Sequence, residues 1–297
     1  MRHLLRASLV LALASAFSAH AQPVVGTDEH LASDRPEAWA MNYVAATTFL
    51  TAFGEVPKWE PWQWSLSGDL GSIPELSDDQ RRVGFNGIKL EDLNKSPVFG
   101  RLRFALGLPY GWVAELAYTP PLEINGARPR NLLAGALGHR VFEQGEWSLS
   151  ARAFGQYGHV TGDITCPAEL ANVTDPVRNP YGCQAPSNDR INLNYLGGDV
   201  IGAWTGGPWH AHADLGLVRT YLDVQVDALT NDTRDRSHLT SRETVPYIAL
   251  GGRRDLSRHW SVAAEAMYVP LYVRRPPGLE RENDSLTSLR LQLRYER

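Results

Sequence analysis

The 297-residue sequence predicts an all-β fold, an antiparallel up-and-down β-barrel that crosses a membrane with about ten strands, or roughly eight or twelve. Three observations predict this fold. Apolar and polar residues alternate along most of the chain, short turns alternate with long loops, and aromatic residues gather at two levels. The mean hydropathy of −0.29 excludes a protein built from apolar membrane helices, but strands with one apolar and one polar face fit it.

Alternation with a period of two residues is clearest near the C-terminal end, where leucines at 289, 291 and 293 are separated by polar residues. Because successive side chains of a strand point to opposite faces, this pattern indicates a strand with one apolar face. The strands predicted in this way cover residues 62–70, 98–108, 112–118, 147–157, 209–217, 260–268 and 289–295. Weaker alternation adds strands, with no faces assigned, at residues 132–142, 192–204 and 245–252.

The connections between these strands fall into two groups that alternate along the chain. The short turns cover residues 109–111, 143–146, 206–208 and 254–259. The long polar loops cover residues 71–97, 120–131, 158–190, 223–244 and 274–284. Such sorting by length predicts a barrel whose two ends face different environments.

Aromatic residues mark both ends of the predicted strands. Seven tryptophans lie at the short-turn end: Trp62, Trp64, Trp112, Trp147, Trp204, Trp209 and Trp260. Seven tyrosines lie at the long-loop end: Tyr118, Tyr157, Tyr195, Tyr221, Tyr247, Tyr268 and Tyr272. Two aromatic belts are typical of the two interfaces of a membrane, where the apolar ring is buried and its polar tip stays hydrated.

On this pattern the chain resembles Gram-negative outer-membrane β-barrel proteins from about Trp59 to Tyr295, with no family-specific motif. The last strand ends in an aromatic residue, Tyr295, as is common in that class, although Glu296 and Arg297 follow it. The resemblance implies that the short turns and both termini are periplasmic. It also implies contact with outer-membrane lipid and lipopolysaccharide, and with the barrel-assembly machinery.

The N-terminal residues 1–21 have the three parts of a secretory signal peptide. Arg2 and Arg6 are basic, residues 9–17 are apolar, and Ala19-His20-Ala21 forms a small-x-small cleavage site before Gln22. We therefore expect three regions: a signal peptide at 1–21, a leader at 22–58 and a barrel at 59–297.

The leader contains an alanine-rich segment, residues 38–53, that lacks strict alternation. It predicts a short amphipathic helix, packed in the lumen as a plug or against the periplasmic mouth. Trp39, Tyr43 and Phe53 are the candidate plug residues. An additional edge strand and a flexible leader are the alternatives.

The polar face of the strands predicts the lining of the lumen. The candidates are Asp69, Arg101, Arg103, Glu115, Arg152, His210, His212, Asp214, Glu265, Arg290, Gln292 and Arg294. Their nearly balanced charge predicts ion pairs across a narrow interior, because buried charges require partners. Such pairs favour a structural plug; the alternative is a constriction through which a small solute passes.

The two cysteines, Cys166 and Cys183, lie in one polar, proline-rich loop. Export to an oxidising compartment favours a disulfide between them. A metal-binding pair is the weaker alternative, because the sequence places no further ligands nearby at a suitable spacing.

The sequence favours a narrow, porin-like channel or transporter for small solutes, with a lumen that is either open or plugged. A structural or surface-interaction barrel acting through its loops is the first alternative, and an outer-leaflet enzyme the second. His210, His212 and Asp214 share one strand face but match no catalytic motif, so we expect no enzyme, no metal and no cofactor. A net charge of −4 and the lack of basic residues interleaved with aromatic ones exclude nucleic acid as a partner.

Overall fold

A computed structural model describes residues 22–278 and 280–297, so the predicted signal peptide at residues 1–21 lies outside the described chain. Within those ranges, ten antiparallel strands close into a barrel. They are β1 Trp64–Ser72, β2 Val98–Gly107, β3 Trp112–Thr119, β4 Arg128–Gln144, β5 Trp147–Gly162, β6 Asp189–Gly206, β7 Trp209–Gln225, β8 Thr244–Asp255, β9 Trp260–Val269 and β10 Leu286–Glu296. Each strand pairs with the next, and β10 pairs with β1. The predicted fold class is confirmed.

The outer face of the barrel is apolar, as the alternation predicts. On β10, Leu289, Leu291 and Leu293 are exposed, whereas the intervening Arg290 and Gln292 are buried. With a period of two, the buried set of each strand faces the lumen and the exposed set faces outward. The outer set therefore forms the surface that lipid would cover.

The two predicted belts of aromatic residues are present, except that two of the tyrosines do not face outward. The seven tryptophans lie at the short-turn end, and Trp62, Trp112, Trp147, Trp209 and Trp260 are all more than 40% exposed. At the long-loop end, Tyr195 and Tyr247 are instead buried in the lumen. Their hydroxyl groups donate to Thr48 O and to Asp199, so these two rings hold the interior together.

The barrel wall has unequal height. Strands β4 to β7 have 16 to 18 residues, whereas the other six have 8 to 12. Pairing between β2 and β3 ends at Leu102 and Tyr118, although β2 begins at Val98. Residues 98–101 are thus paired with β1 but not with β3.

The described chain begins at the long-loop end. Strands Val24–Val25 and Asp28–His30 pair in parallel with Thr233–Asp235 and His238–Ser241 of the loop after β7. At the other end of the barrel, Arg297 exchanges backbone hydrogen bonds with Trp64. The expectation that both termini lie at one end is therefore wrong for the described chain, because the leader itself crosses the lumen once.

Helix α1, Pro36–Thr47, carries the leader into the lumen. Pro36 occupies its first turn, where a missing N–H costs nothing. Residues 48–56, which we call the strap, continue as irregular chain toward the short-turn end. The expected helix is present, but it does not have one buried and one exposed face, because the wall and the loops bury it on nearly all sides.

Short elements fold over the long-loop end. They are helices Asp78–Arg81 and Gly84–Gly87 and strands Arg82–Val83, Lys89–Leu90, Ala228–Thr230, Tyr272–Val273 and Glu282–Asn283. A 3₁₀ turn, Pro109–Gly111, joins β2 to β3. The disulfide between Cys166 and Cys183 is confirmed, with an S–S distance of 1.99 Å. None of the described helices has the length and apolar character needed to cross a membrane.

Candidate functional site in the plugged lumen

All twelve predicted lumen residues face the interior, where four of the charged ones form a chain of ion pairs with Asp199. Arg103 contacts Asp69 at 2.6 Å and Glu115 at 3.0 Å. Arg152 contacts Glu115 at 3.1 Å and Asp199 at 2.6 Å. Each guanidinium thus lies between two carboxylates, which is the arrangement that buried charge requires.

The candidate residues of β7 have separate partners and do not form one constellation. His210 lies 3.2 Å from Glu55 and 3.1 Å from Asp255. His212 lies 3.5 Å from Glu265, and Asp214 accepts from the Tyr247 hydroxyl. Side chains two residues apart on a strand share a face, but here each contacts different residues.

The lumen arginines also bind the backbone of the plug. Carbonyl groups at 46, 47 and 49 accept from Arg290, that at 48 from Arg101, at 50 from Arg152 and at 51 from Arg103. The last turn of α1 and the strap have no strand partner, and the guanidinium groups donate to the carbonyl groups that these segments turn toward the wall. Alternation predicts that the arginines face inward, but it contains no signal for what they bind.

Of the remaining lumen candidates, Glu265 accepts from Thr51, and Gln292 donates to Asp69 at 2.9 Å. Arg294 donates to Gln292 at 3.1 Å. The first of these contacts joins the strap to the wall, and the other two join residues of the wall to one another. The cavity left beside them has a volume of about 20 Å³, room for about one water molecule.

The three plug candidates occupy different levels. Trp39 Nε1 donates to Asp284 O at 2.9 Å, and the Tyr43 hydroxyl donates to Pro74 O at 3.0 Å, so both anchor α1 to the long loops. Phe53 lies deeper, with its ring 5.6 Å from the Arg103 guanidinium. The leader therefore spans from the loops to the ion-pair chain.

The long-loop half of the lumen is hollow by contrast. A cavity of about 500 Å³, which we call the wall cavity, lies between α1 and strands β1 and β2. Apolar side chains dominate its lining, including Val44, Phe99, Leu122, Ile191 and Leu193. Its size and lining are those of a site for a small, largely apolar molecule.

The wall cavity extends through the barrel wall. Both the inward-facing Arg101 and Leu193 and the outward-facing Leu70 and Leu102 line it. Such mixed lining is possible because residues 98–101 lack a partner strand on the β3 side. The chain that faces this edge contains three prolines, at 120, 121 and 129, which cannot donate backbone hydrogen bonds to it.

A second cavity of about 320 Å³, the loop cavity, lies beside the first. Val44, Leu93, Ile164 and Ile191 line both, so the two cavities share a wall. The loop cavity is also lined by exposed residues at the long-loop surface, Glu29 and Phe85. The two cavities thus lie in series between the long-loop surface and the opening in the wall.

Comparisons with known proteins add the fold alone. No family model and no curated protein matches the chain. Solved structures with a similar fold include the NanC porin, at 12% identity, TM-score 0.34 and coverage of 78% of this chain and 98% of that one. The Pseudomonas putida toluene transporter TodX matches at 9% identity and TM-score 0.33, over 88% of this chain and 91% of that one.

The outer membrane protease OmpT from Escherichia coli matches at 9% identity and TM-score 0.32, over 84% of this chain and 98% of that one. A porin, a transporter and a protease share this likeness, so it assigns no function. The closed antiparallel barrel with an apolar outer face is the architecture of outer-membrane β-barrels, and this chain has it.

Proposed function

We propose that the protein is an uptake barrel for small, largely apolar solutes, which enter at the long-loop surface and leave through the wall into the membrane. The wall cavity carries this proposal, because it joins lumen-facing and outward-facing residues in one apolar space of about 500 Å³. Transfer of an apolar solute from water into such a space is favourable, and so is its transfer from water into lipid.

The structure of the short-turn half favours a path through the wall over a path along the barrel axis. There the strap, its arginine partners and the ion-pair chain leave a cavity of only about 20 Å³. Opening it would separate buried charges from their partners, which costs several kcal/mol. The wall cavity already reaches the outer face and needs no such separation.

The proposal includes an orientation in the outer membrane. The short turns face the periplasm and the long loops face outward, after export by the predicted signal peptide at residues 1–21. Outer-membrane lipid and lipopolysaccharide surround the apolar outer face, and the barrel-assembly machinery inserts the chain. The protein acts without catalysis, in line with the separate ion-pair partners of His210 and His212.

The decisive variant narrows the junction between the two cavities. Val44 lines both cavities, so Val44→Trp places a large ring between them. The control, Val200→Trp, adds the same ring to the outer face of the barrel, where Val200 is 48% exposed. The readout is the rate at which N-phenyl-1-naphthylamine, an apolar dye that fluoresces in membranes, enters cells producing equal amounts of folded barrel.

We expect the wild type and Val200→Trp to raise the entry rate several-fold over cells without the protein, and Val44→Trp to abolish the rise. Equal rates for Val44→Trp and the wild type, or no rise with the wild type, would overturn the proposed function.

A further inference from the structure

Four charged side chains line the wall cavity: Asp69, Asp92, Lys95 and Arg101. Three of them have ionic partners. Asp69 accepts two hydrogen bonds from Arg103, at 2.6 and 3.0 Å, and Lys95 lies 2.6 Å from Asp92 and 2.8 Å from Asp163. Arg101 has no carboxylate within 4 Å in the part of the chain that the structure describes.

Arg101 also has few hydrogen bonds for its five donors. Its one acceptor among the described residues is Thr48 O, and its Nη1 is buried without a partner. Only 6% of the residue is exposed. Burying a guanidinium group in this state is costly, whereas both Nη atoms of Arg290, on the same wall, donate to backbone carbonyl groups, at residues 46, 47 and 49.

Phe99 stacks on the guanidinium group of Arg101. Its ring centroid lies 4.6 Å from Arg101 Cζ, and the same ring lines the wall cavity. The stacking supplies part of what a missing carboxylate would supply, because an aromatic face attracts a cation. Arg101 lines the cavity as well, so an anionic occupant competes with the Phe99 ring for the guanidinium group.

We propose that the wall cavity selects small apolar carboxylates, with the anionic group paired to Arg101 after Phe99 turns aside and the apolar part held by α1 and the wall. This inference rests on the proposed function and names its substrate class. A guanidinium in an apolar space forms short, charge-assisted hydrogen bonds with a carboxylate, and these are worth about tenfold or more in affinity.

The test compares two probes of the same length, octanoate and 1-octanol, by isothermal titration calorimetry at pH 7.5. The full-length protein is reconstituted in lipid nanodiscs, and empty nanodiscs give the blank for partition into lipid. We expect the wild type to bind octanoate at least tenfold more tightly than 1-octanol. Arg101→Gln should remove this preference and leave 1-octanol binding unchanged, while Arg101→Lys should retain part of it.

Phe99→Leu gives an independent result if Arg101→Gln does not fold. It keeps an apolar lining but removes the stacking that competes with a carboxylate, so octanoate should bind a few-fold more tightly and 1-octanol should not. Equal wild-type affinities for the two probes would overturn the inference and leave the proposed function standing, as would an unchanged preference in Arg101→Gln. Binding of neither probe would count against both proposals.

Discussion

The two halves of the lumen use buried space in opposite ways. At the short-turn side, Arg103 and Arg152 each contact two carboxylates and one strap carbonyl, and the residual cavity is about 20 Å³. At the long-loop side, α1 packs less tightly against the wall, and the cavities measure about 320 and 500 Å³. The same plug thus seals one half and shapes a binding site in the other.

The difference shows that a plugged barrel need not be an inert one. Ion pairs and arginine–carbonyl bonds fix the strap, since each of these groups would be costly to leave unpaired. Helix α1 has mostly apolar neighbours, which tolerate a second apolar occupant. The short-turn half thus gives rigid support, and the long-loop half leaves an apolar space that fits a small apolar solute.

The largest effect should follow from breaking the ion-pair chain. Arg152→Met removes the partner of Asp199 and Glu115 together with the donor to Leu50 O. Leaving buried charges unpaired costs about 3–5 kcal/mol, so the free energy of unfolding in urea, followed by tryptophan fluorescence, should fall by that amount.

Arg140→Met is the matched control, because Arg140 also donates to a plug carbonyl, that of Val56, but pairs with the half-exposed Glu143 at the rim. It should cost roughly 1 kcal/mol. Equal losses in the two variants would show that the ion-pair chain does not distinguish the short-turn half.

A smaller, pH-dependent effect is expected at the loop cavity, where Glu91 is buried beside Lys89 at 2.5 Å. Burial raises the pKa of Glu91 from its ordinary 4.5 to about 7, against the opposing effect of Lys89. The folded protein therefore holds this proton more tightly than the unfolded chain. Glu91 then costs stability as pH rises from about 4.5 to 7, and the full penalty remains above that range.

Glu91→Gln removes the titrating group, so it should abolish this pH dependence of the free energy of unfolding. Thermal unfolding at pH 5 and pH 8 measures it: the wild type should lose more stability between the two values than the variant. Parallel pH profiles of the wild type and the variant would mean that the ion pair with Lys89 outweighs the burial of Glu91. The long-loop half would then be held by ion pairs, as the short-turn half is.

The barrel itself was predictable from sequence because alternation acts locally. All ten strands carry a period-two signal or a bounded apolar run, and the turns between them differ visibly in length. The inward direction of the twelve lumen residues follows from the same parity. The disulfide follows from compartment and loop membership.

Other features depend on contacts that no local pattern encodes. Tyr195 and Tyr247 lie at the expected level but face inward, because the register of β6 and β8 places them opposite Phe49 of the strap. The leader pairs with residues more than 200 positions away, Arg234 and His238 among them. The wall cavity arises from unequal strand lengths and from where the pairing of β2 with β3 ends.

The most direct test of the central claim, that the long-loop half holds an apolar solute site, is a crystal structure of the full-length protein soaked with iodobenzene. The iodine atom gives an anomalous scattering peak at the site it occupies. We predict a peak in the wall cavity, between Val44 of α1 and Phe99 of β2. Peaks confined to the outer, lipid-facing surface, with none in the wall cavity, would contradict the account.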